Sequence, residues 1–88
     1  IKTSNQPAII STATNATILN NFIHAEGLGV TTGIQINSSN NLVAYNSINN
    51  LSTNVGSQGI LIANGTNQII KNNIFSINGF AEHMVNSV

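Results

Sequence analysis

The feature that most constrains this chain is that it repeats itself. Shifting the numbering by 26 carries Gly33 onto Gly59, and each opens a similar phrase, Gly33-Ile34-Gln35-Ile36 and Gly59-Ile60-Leu61-Ile62. The same shift backwards reaches Pro7-Ala8-Ile9-Ile10, and forwards it reaches Val85-Asn86-Ser87-Val88. Asn15, Asn41 and Asn67 fall in register, as do Asn20, Asn46 and Asn72. The sets Thr17/Val43/Ile69, Phe22/Ile48/Ile74 and Ala25/Leu51/Ile77 follow them. Ile34 and Ile36 alternate with Gln35, which is the period of a strand and not of a helix. A unit of this size cannot bury its apolar side alone, so neighbouring units must cover one another.

What satisfies both the short period and the long one is a coil of two or three very short strands joined by turns. Coils then stack in parallel at ~4.8 Å per layer, each strand pairing with its copy one repeat later. The expected fold is therefore all-β, a parallel β-helix of about three 26-residue coils in one domain, residues 1–88. The coils fall near 7–32, 33–58 and 59–84, with a fourth begun at 85–88. Stacking predicts four inward columns: Ala8/Ile34/Ile60, Ile10/Ile36/Ile62, Thr17/Val43/Ile69 and Phe22/Ile48/Ile74. The two Asn columns belong at bends, where Asn tolerates a left-handed backbone and stacked amides can bond along the axis. Gly33 and Gly59 mark the turn into each coil, with Pro7 as the first copy. The variable loops are Gly27 to Thr32, Thr53 to Gln58 and Gly79 to Met84. Ile9, Ile18, Leu19, Ile23, Tyr45, Leu61, Ile70 and Phe75 fall between the inward columns and are expected to face out.

The phrase Gly33-Ile34-Gln35-Ile36-Asn37-Ser38-Ser39-Asn40-Asn41-Leu42-Val43, followed by Asn46-Ser47-Ile48, resembles the parallel β-helix repeat of the right-handed, pectin-lyase-like solenoids. The resemblance covers residues 7 to 88 and implies a right-handed coil. It does not choose a function, because such solenoids serve as polysaccharide lyases, hydrolases, tailspikes, adhesins and non-catalytic supports.

Composition removes several classes. Charged residues make up 5% of the chain, and they are Lys2, Lys71, Glu26 and Glu82, for a net charge of zero. Two lysines give no basic footprint for nucleic acid. Without Cys there is neither a disulfide framework nor a thiolate metal site. No apolar run approaches the ~18 residues of a membrane span, so membrane insertion is not expected. Disorder is disfavoured because hydrophobic residues reach 41%, mostly β-branched or Leu. Seventeen Asn, nine Ser and eight Thr supply the polar surface instead of charge, a habit suited to extracellular or assembled material.

Chemistry is sparse. The resemblance implies acidic calcium ligands and a basic residue for a lyase, or several Asp for a hydrolase; this chain has no Asp and no Arg. Glu26 and Glu82 lie far apart in the chain, in loop positions, and are not expected to act as a pair. His24 is expected on the exterior beside Asn50 and Ser76, and His83 in the last loop in the column of Thr31 and Ser57. No catalytic, cofactor or metal residue is assigned. Asn-x-Ser/Thr triplets at Asn15, Asn37, Asn50 and Asn64 occur about as often as chance gives in so Asn-rich a chain. The candidate contact residues are Tyr45 and Phe75, either for stacking on a polysaccharide or for packing against another subunit. Neither terminus reads as a capping helix, and solenoid ends without caps leave open core and strand edges. The expectation is a non-catalytic structural solenoid, extracellular or on a cell surface, that stacks end to end as a homo-oligomer or filament or belongs to a longer β-helix. The alternative is a carbohydrate-binding β-helix segment.

Overall fold

A computed structural model describes residues 1–77 and 82–88. Eleven strands and no helix occur among the described residues: β1 (Lys2–Ser4), β2 (Ile9–Ser11), β3 (Thr17–Leu19), β4 (Phe22–Glu26), β5 (Thr32–Asn37), β6 (Leu42–Ala44), β7 (Ser47–Asn50), β8 (Gln58–Asn64), β9 (Ile69–Lys71), β10 (Ile74–Ile77) and β11 (Glu82–Asn86). They form three parallel sheets. Sheet A is ordered β1-β4-β7-β10, sheet B β2-β5-β8-β11 and sheet C β3-β6-β9. Each coil visits B, then C, then A, so the chain winds as a β-solenoid of about three turns. β1 adds one strand below sheet A, and β11 one strand above sheet B.

The strands are short because the chain must turn after each of them. Among the described residues, seven non-glycine residues have positive φ, and six of these are Asn, the residue whose short amide best tolerates the left-handed region. Asn15, Asn40 and Asn67 make the bend from sheet B to sheet C, and Asn20, Tyr45 and Asn72 the bend from C to A.

The core is a narrow aliphatic column. Ile23, Ile34, Ile36, Val43, Ile48 and Ile60 are fully buried, with Ile18 and Ile62 nearly so. Each such side chain contributes roughly 1.5–3 kcal/mol as an upper bound. Ile9, Ile70 and Phe75 pack against this column from the outer coils, half-buried.

The step between coils corrects several expected columns. In sheets A and C the numbering advances by 25 from first coil to second and by 27 from second to third, as in Ile18↔Val43↔Ile70 and Ile23↔Ile48↔Phe75. A uniform step of 26 therefore aligns the outer two coils and slips the middle one by a single position. A one-residue slip reverses every side chain of a strand. So Thr17, Phe22, Ile69 and Ile74, expected inside, point out, with Phe22 65% and Ile74 69% exposed. Ile18, Ile23, Ile70 and Phe75, expected outside, point in. In sheet B the columns are Ile9/Ile34/Ile60/Met84 and Ser11/Ile36/Ile62/Asn86, so Ile9 replaces Ala8, and Ile10 is exposed. Ala25/Asn50/Ile77 replaces Ala25/Leu51/Ile77. The fourth layer is β11, which arrives earlier than a step of 26 places it. The first part of the third variable loop, residues 79–81, lies outside the described residues.

Gly33 and Gly59 lie inside β5 and β8, not ahead of them. A Cβ on Gly33 would stand 2.8 Å from Ile48 Cγ2 and 2.5 Å from Gly59 O, and one on Gly59 2.5 Å from the Phe75 ring. Glycine repeats there because sheet A's core column presses on the sheet B backbone.

Candidate functional site

Polar and titratable groups converge in three places, and each is built by the stacking of coils. The first is the pair of bends. Asn21, Asn46 and Asn73 stack from coil to coil. Asn46 Oδ1 accepts from the Asn21 backbone N–H and from Asn21 Nδ2, both at 3.0 Å. Asn46 Nδ2 donates to Ile18 O (3.1 Å) and to Asn73 Oδ1 (3.0 Å). Asn73 Oδ1 also accepts the Asn46 N–H at 2.9 Å. The other bend works the same way: Asn41 Oδ1 accepts the Ala16 N–H (2.9 Å), and Gln68 Oε1 accepts from Asn41 N–H and Nδ2. Asn41, Asn46, Gln68 and Asn73 thus each satisfy a backbone donor of the coil below, which the bend would otherwise orphan. The expected ladders Asn15/Asn41/Asn67 and Asn20/Asn46/Asn72 are corrected to Ala16/Asn41/Gln68 and Asn21/Asn46/Asn73. The neighbouring Asn rows supply the left-handed backbone instead, and the middle-coil slip had merged the two roles.

The second place is the A-to-B corner. Thr31 Oγ1 accepts the Asn5 N–H (3.0 Å), and Ser57 Oγ accepts the Thr31 N–H (2.9 Å). Ser57 Oγ donates to Ser52 Oγ (2.8 Å), which donates to Gly29 O (3.0 Å). Asn50 Nδ2 donates to Thr31 O and Gln58 O. Asn50, Ser52, Ser57 and Thr31 are all fully buried. The Asn50 triplet is therefore closed to any modifying enzyme in the folded state.

The third place is the outer surface of sheet A, where β1 lies beside β4. Lys2 Nζ stands 3.2 Å from Glu26 Oε1, His24 Nε2 stands 3.3 Å from Glu26 Oε2, and Asn49 Nδ2 is 3.4 Å from His24 Nδ1. The Lys2 hydrogen bond, then that of His24, holds the Glu26 carboxyl below the usual carboxylate range. Both Glu26 oxygens are thus engaged, one by Lys2 and one by His24. The arrangement clasps β1 to β4. His24 shares its row with Asn49 and Ser76, not Asn50. Sequence reasoning missed the clasp because Lys2 pairs with His24 at an offset shorter than the repeat, so no shift of one coil on the next reveals it.

The sequence-predicted contact residues separate. Tyr45 stands outward at the C-to-A bend with φ 57° and is 56% exposed. Phe75 is corrected from an outward to an inward position. It closes the Ile23/Ile48 column at the last coil, and its ring meets His83 edge-on at 5.7 Å. His83 follows Glu82 on β11 and lies over Gly59, not in the Thr31/Ser57 column, which instead begins with Asn5. Glu26 and Glu82 stand on different sheets, β4 and β11. No three His, Asp or Glu gather as a metal-binding group among the described residues, and no helix is long and apolar enough to cross a membrane.

Recesses of about 440 Å³ open at two places among the described residues. One lies on the flank of the B-to-C bend across three coils, lined by Asn15, Asn40, Asn67, Thr17, Leu42 and Ile69 among others. The second opens at the C-terminal end beside β9 and β11, over Ile62, Thr66, Gln68, Ile70, Met84 and Val88. Compared with protein-family models, with curated proteins and with solved structures, the chain matches none. What it is follows from its geometry: a parallel β-solenoid with a dry core, hydrogen-bonded corners and one external ion-paired clasp.

Proposed function

We propose that the chain is a non-catalytic structural β-solenoid module that works by stacking with like coils, in an extracellular or cell-surface setting. The observation that carries this reading is that each coil is completed by the coils next to it, through shared aliphatic columns and amides that meet N–H groups of the coil below. The charge content of 5% supports assembly, since little like-charge repulsion keeps copies apart. The Lys2–Glu26–His24 clasp, which ties β1 to β4, fits a supporting role. The right-handed, pectin-lyase-like relationship belongs to the same proposal and rests on the repeat phrases.

Negative-stain electron microscopy and light scattering across a concentration series test it. Particles that lengthen with concentration and give a ~4.8 Å axial reflection are expected. Particles of one monomer length at every concentration would overturn it.

A carbohydrate-contacting role is the second reading, favoured by Tyr45. Its two counterparts are Asn, so an exposed aromatic ring stands on a left-handed backbone that Asn adopts more easily, and strained residues cluster where function uses them. Loss of glycan-array binding in Tyr45→Ala would support that role, and an array without signal for the unaltered chain would remove it.

A further inference from the structure

Seventeen asparagines make the side-chain amide an abundant reactive group in this chain. The nucleophile best placed to attack such an amide is the backbone nitrogen of the next residue. A side chain on that next residue hinders the approach, and glycine has none. Burial and bonding close the reaction. Asn41, Asn46 and Asn50 are buried, and the Nδ2 of each donates to at least two acceptors.

Asn64 differs on every count. It ends β8 and is exposed, and Gly65 follows it with φ +91°. Coming after the strand, Gly65 donates its N–H to Asn64 Oδ1 at 2.8 Å. The backbone nitrogen thus already faces the side-chain carbonyl whose carbon it would attack. A turn about the soft Asn64 Cβ–Cγ torsion presents that carbon to it. The exposure does not depend on a layer above. Asn64 pairs with Asn37, which sits beside Gln35 on the outer face of sheet B and stays part-exposed with a coil on either side. Glycine is also imposed here by the fold, because a Cβ on Gly65 would fall on the Ser38 carbonyl.

We propose that Asn64-Gly65 is a self-modification site of the folded chain, where the Asn64 amide converts to aspartate and isoaspartate with water as co-reactant. The Gly65 nitrogen gives its proton to hydroxide and attacks Asn64 Cγ. The new N–Cγ bond closes an imide as the Cγ–Nδ2 bond breaks, and Nδ2 takes a proton from water and leaves as ammonia. Water then opens the imide. Opening at Cγ leaves aspartate on the original main chain, and opening at the Asn64 backbone carbonyl leaves isoaspartate, with Cβ now in the main chain. Either product adds a negative charge to a chain whose net charge is zero. Isoaspartate also lengthens the turn just before Thr66. The Thr66 N–H donates to Ser39 Oγ at 3.0 Å, and the Thr66 carbonyl accepts the Asn40 N–H at 2.9 Å. The modification therefore loosens the third coil from the second at the B-to-C bend.

Incubation of the folded chain in mildly alkaline buffer, followed by peptide mass mapping with fragmentation, tests the assignment. Asn64 is expected to gain the mass difference between an amide and an acid, and its peptide to become a substrate for an isoaspartyl methyltransferase. Conversion is expected to run roughly tenfold or more faster than at Asn41, Asn46 or Asn50, a difference of ~1.4 kcal/mol in barrier. Cleavage after Lys71 separates Asn64 from Asn78-Gly79, the same dipeptide outside the described residues. Asn64→Gln keeps an amide but moves its carbon one bond further from the Gly65 nitrogen, and should abolish the change at this position. Conversion at Asn64 in urea but not in the folded chain would overturn the proposal, as would equal rates at Asn64 and the buried asparagines. An aged chain that melts where the fresh one does would overturn the loosening of the third coil.

Discussion

The C-to-A bend and the A-to-B corner do the same job by different means. Both turn the chain, and both satisfy the backbone donors of one coil with side-chain oxygens of the next. At the bend the spacing never changes: Ile18 to Ile23, Val43 to Ile48 and Ile70 to Phe75 are the same interval in every coil. At the corner it varies, longest from Asn50 to Ile60, shorter from Ala25 to Ile34, shorter again from Ile77 to Met84 and shortest from Thr3 to Ile9. The bend is a single left-handed residue followed by an amide that bonds in several directions, which leaves no slack. The corner hangs on hydroxyls, each a small donor and acceptor, with the rest of the loop outside. Leu28 and Val55 there are 83% and 69% exposed. At the C-to-A bend the amide goes with a fixed length; at the A-to-B corner the hydroxyls, with Asn50 beneath them, go with a variable one.

An insertion should break the symmetry most sharply. One glycine added after Asn46 shifts β7 by a residue and turns Ile48 out of the core. We expect a loss of roughly 4 kcal/mol or more, enough to abolish a cooperative urea transition in so small a domain. The same glycine between Val55 and Gly56 should cost less than about 1 kcal/mol. Equal losses would end the distinction.

Single side chains come next. Asn46→Ala removes the side-chain hydrogen bonds of a buried position and leaves the Asn21 N–H and Ile18 O without their partner. About 3 kcal/mol is expected from the urea midpoint. Ser57→Ala strands the Thr31 N–H and should cost about 1.5 kcal/mol. A cost for Ser57→Ala as large as for Asn46→Ala would mean that the corner is as tightly specified as the bend.

Among the described non-glycine residues with a left-handed backbone, Tyr45 is the one that is not Asn. Tyr45→Asn should stabilise by about 0.5–1 kcal/mol, because Asn sits more easily at positive φ. A destabilised variant would show that the ring contributes packing that outweighs the backbone strain.

The smallest effect concerns Glu26, where the corner begins. Its carboxyl is depressed below the ordinary value of 4.5 by Lys2 and then His24. A depressed folded pKa stabilises at pH above the unfolded value, and that contribution disappears as pH falls through the folded one. A Lys2→Met variant should therefore show a shallower drop in thermal midpoint than the unaltered chain between pH ~5 and ~3. Parallel curves would mean that the clasp adds nothing.

How much of this was legible without coordinates depends on the face. The strand period at Ile34 and Ile36, the parallel stacking and the place of Asn at the bends could all be read, because they follow from local propensity and repetition. The facing of Thr17, Phe22, Ile69 and Ile74 could not. Steps of 25 and 27 average to 26, and Gly33, Gly59 and several Asn pairs keep the average visible while hiding the parts. Part of the longer step into the third coil arises late in β8, where the pairing with β5 shifts between Ile36 and Asn37 and Asn37 meets Asn64. The clasp of Lys2 with Glu26 was hidden for a related reason, since β1 lies outside the repeat.

The sequence by itself determined the architecture: a cysteine-free, nearly uncharged chain of β-branched residues and Asn, repeating at short intervals, has few ways to bury its apolar side except by stacking coils. Tertiary structure decided the register, and with it which of two adjacent residues is core and which is surface. The physical reason is that a strand offers its two faces at a spacing of one residue. Local sequence is nearly indifferent between Ile9 and Ile10 or between Phe22 and Ile23. Only the coils above and below, through the amide that must meet a particular N–H and the glycine that must admit Ile48, make the choice.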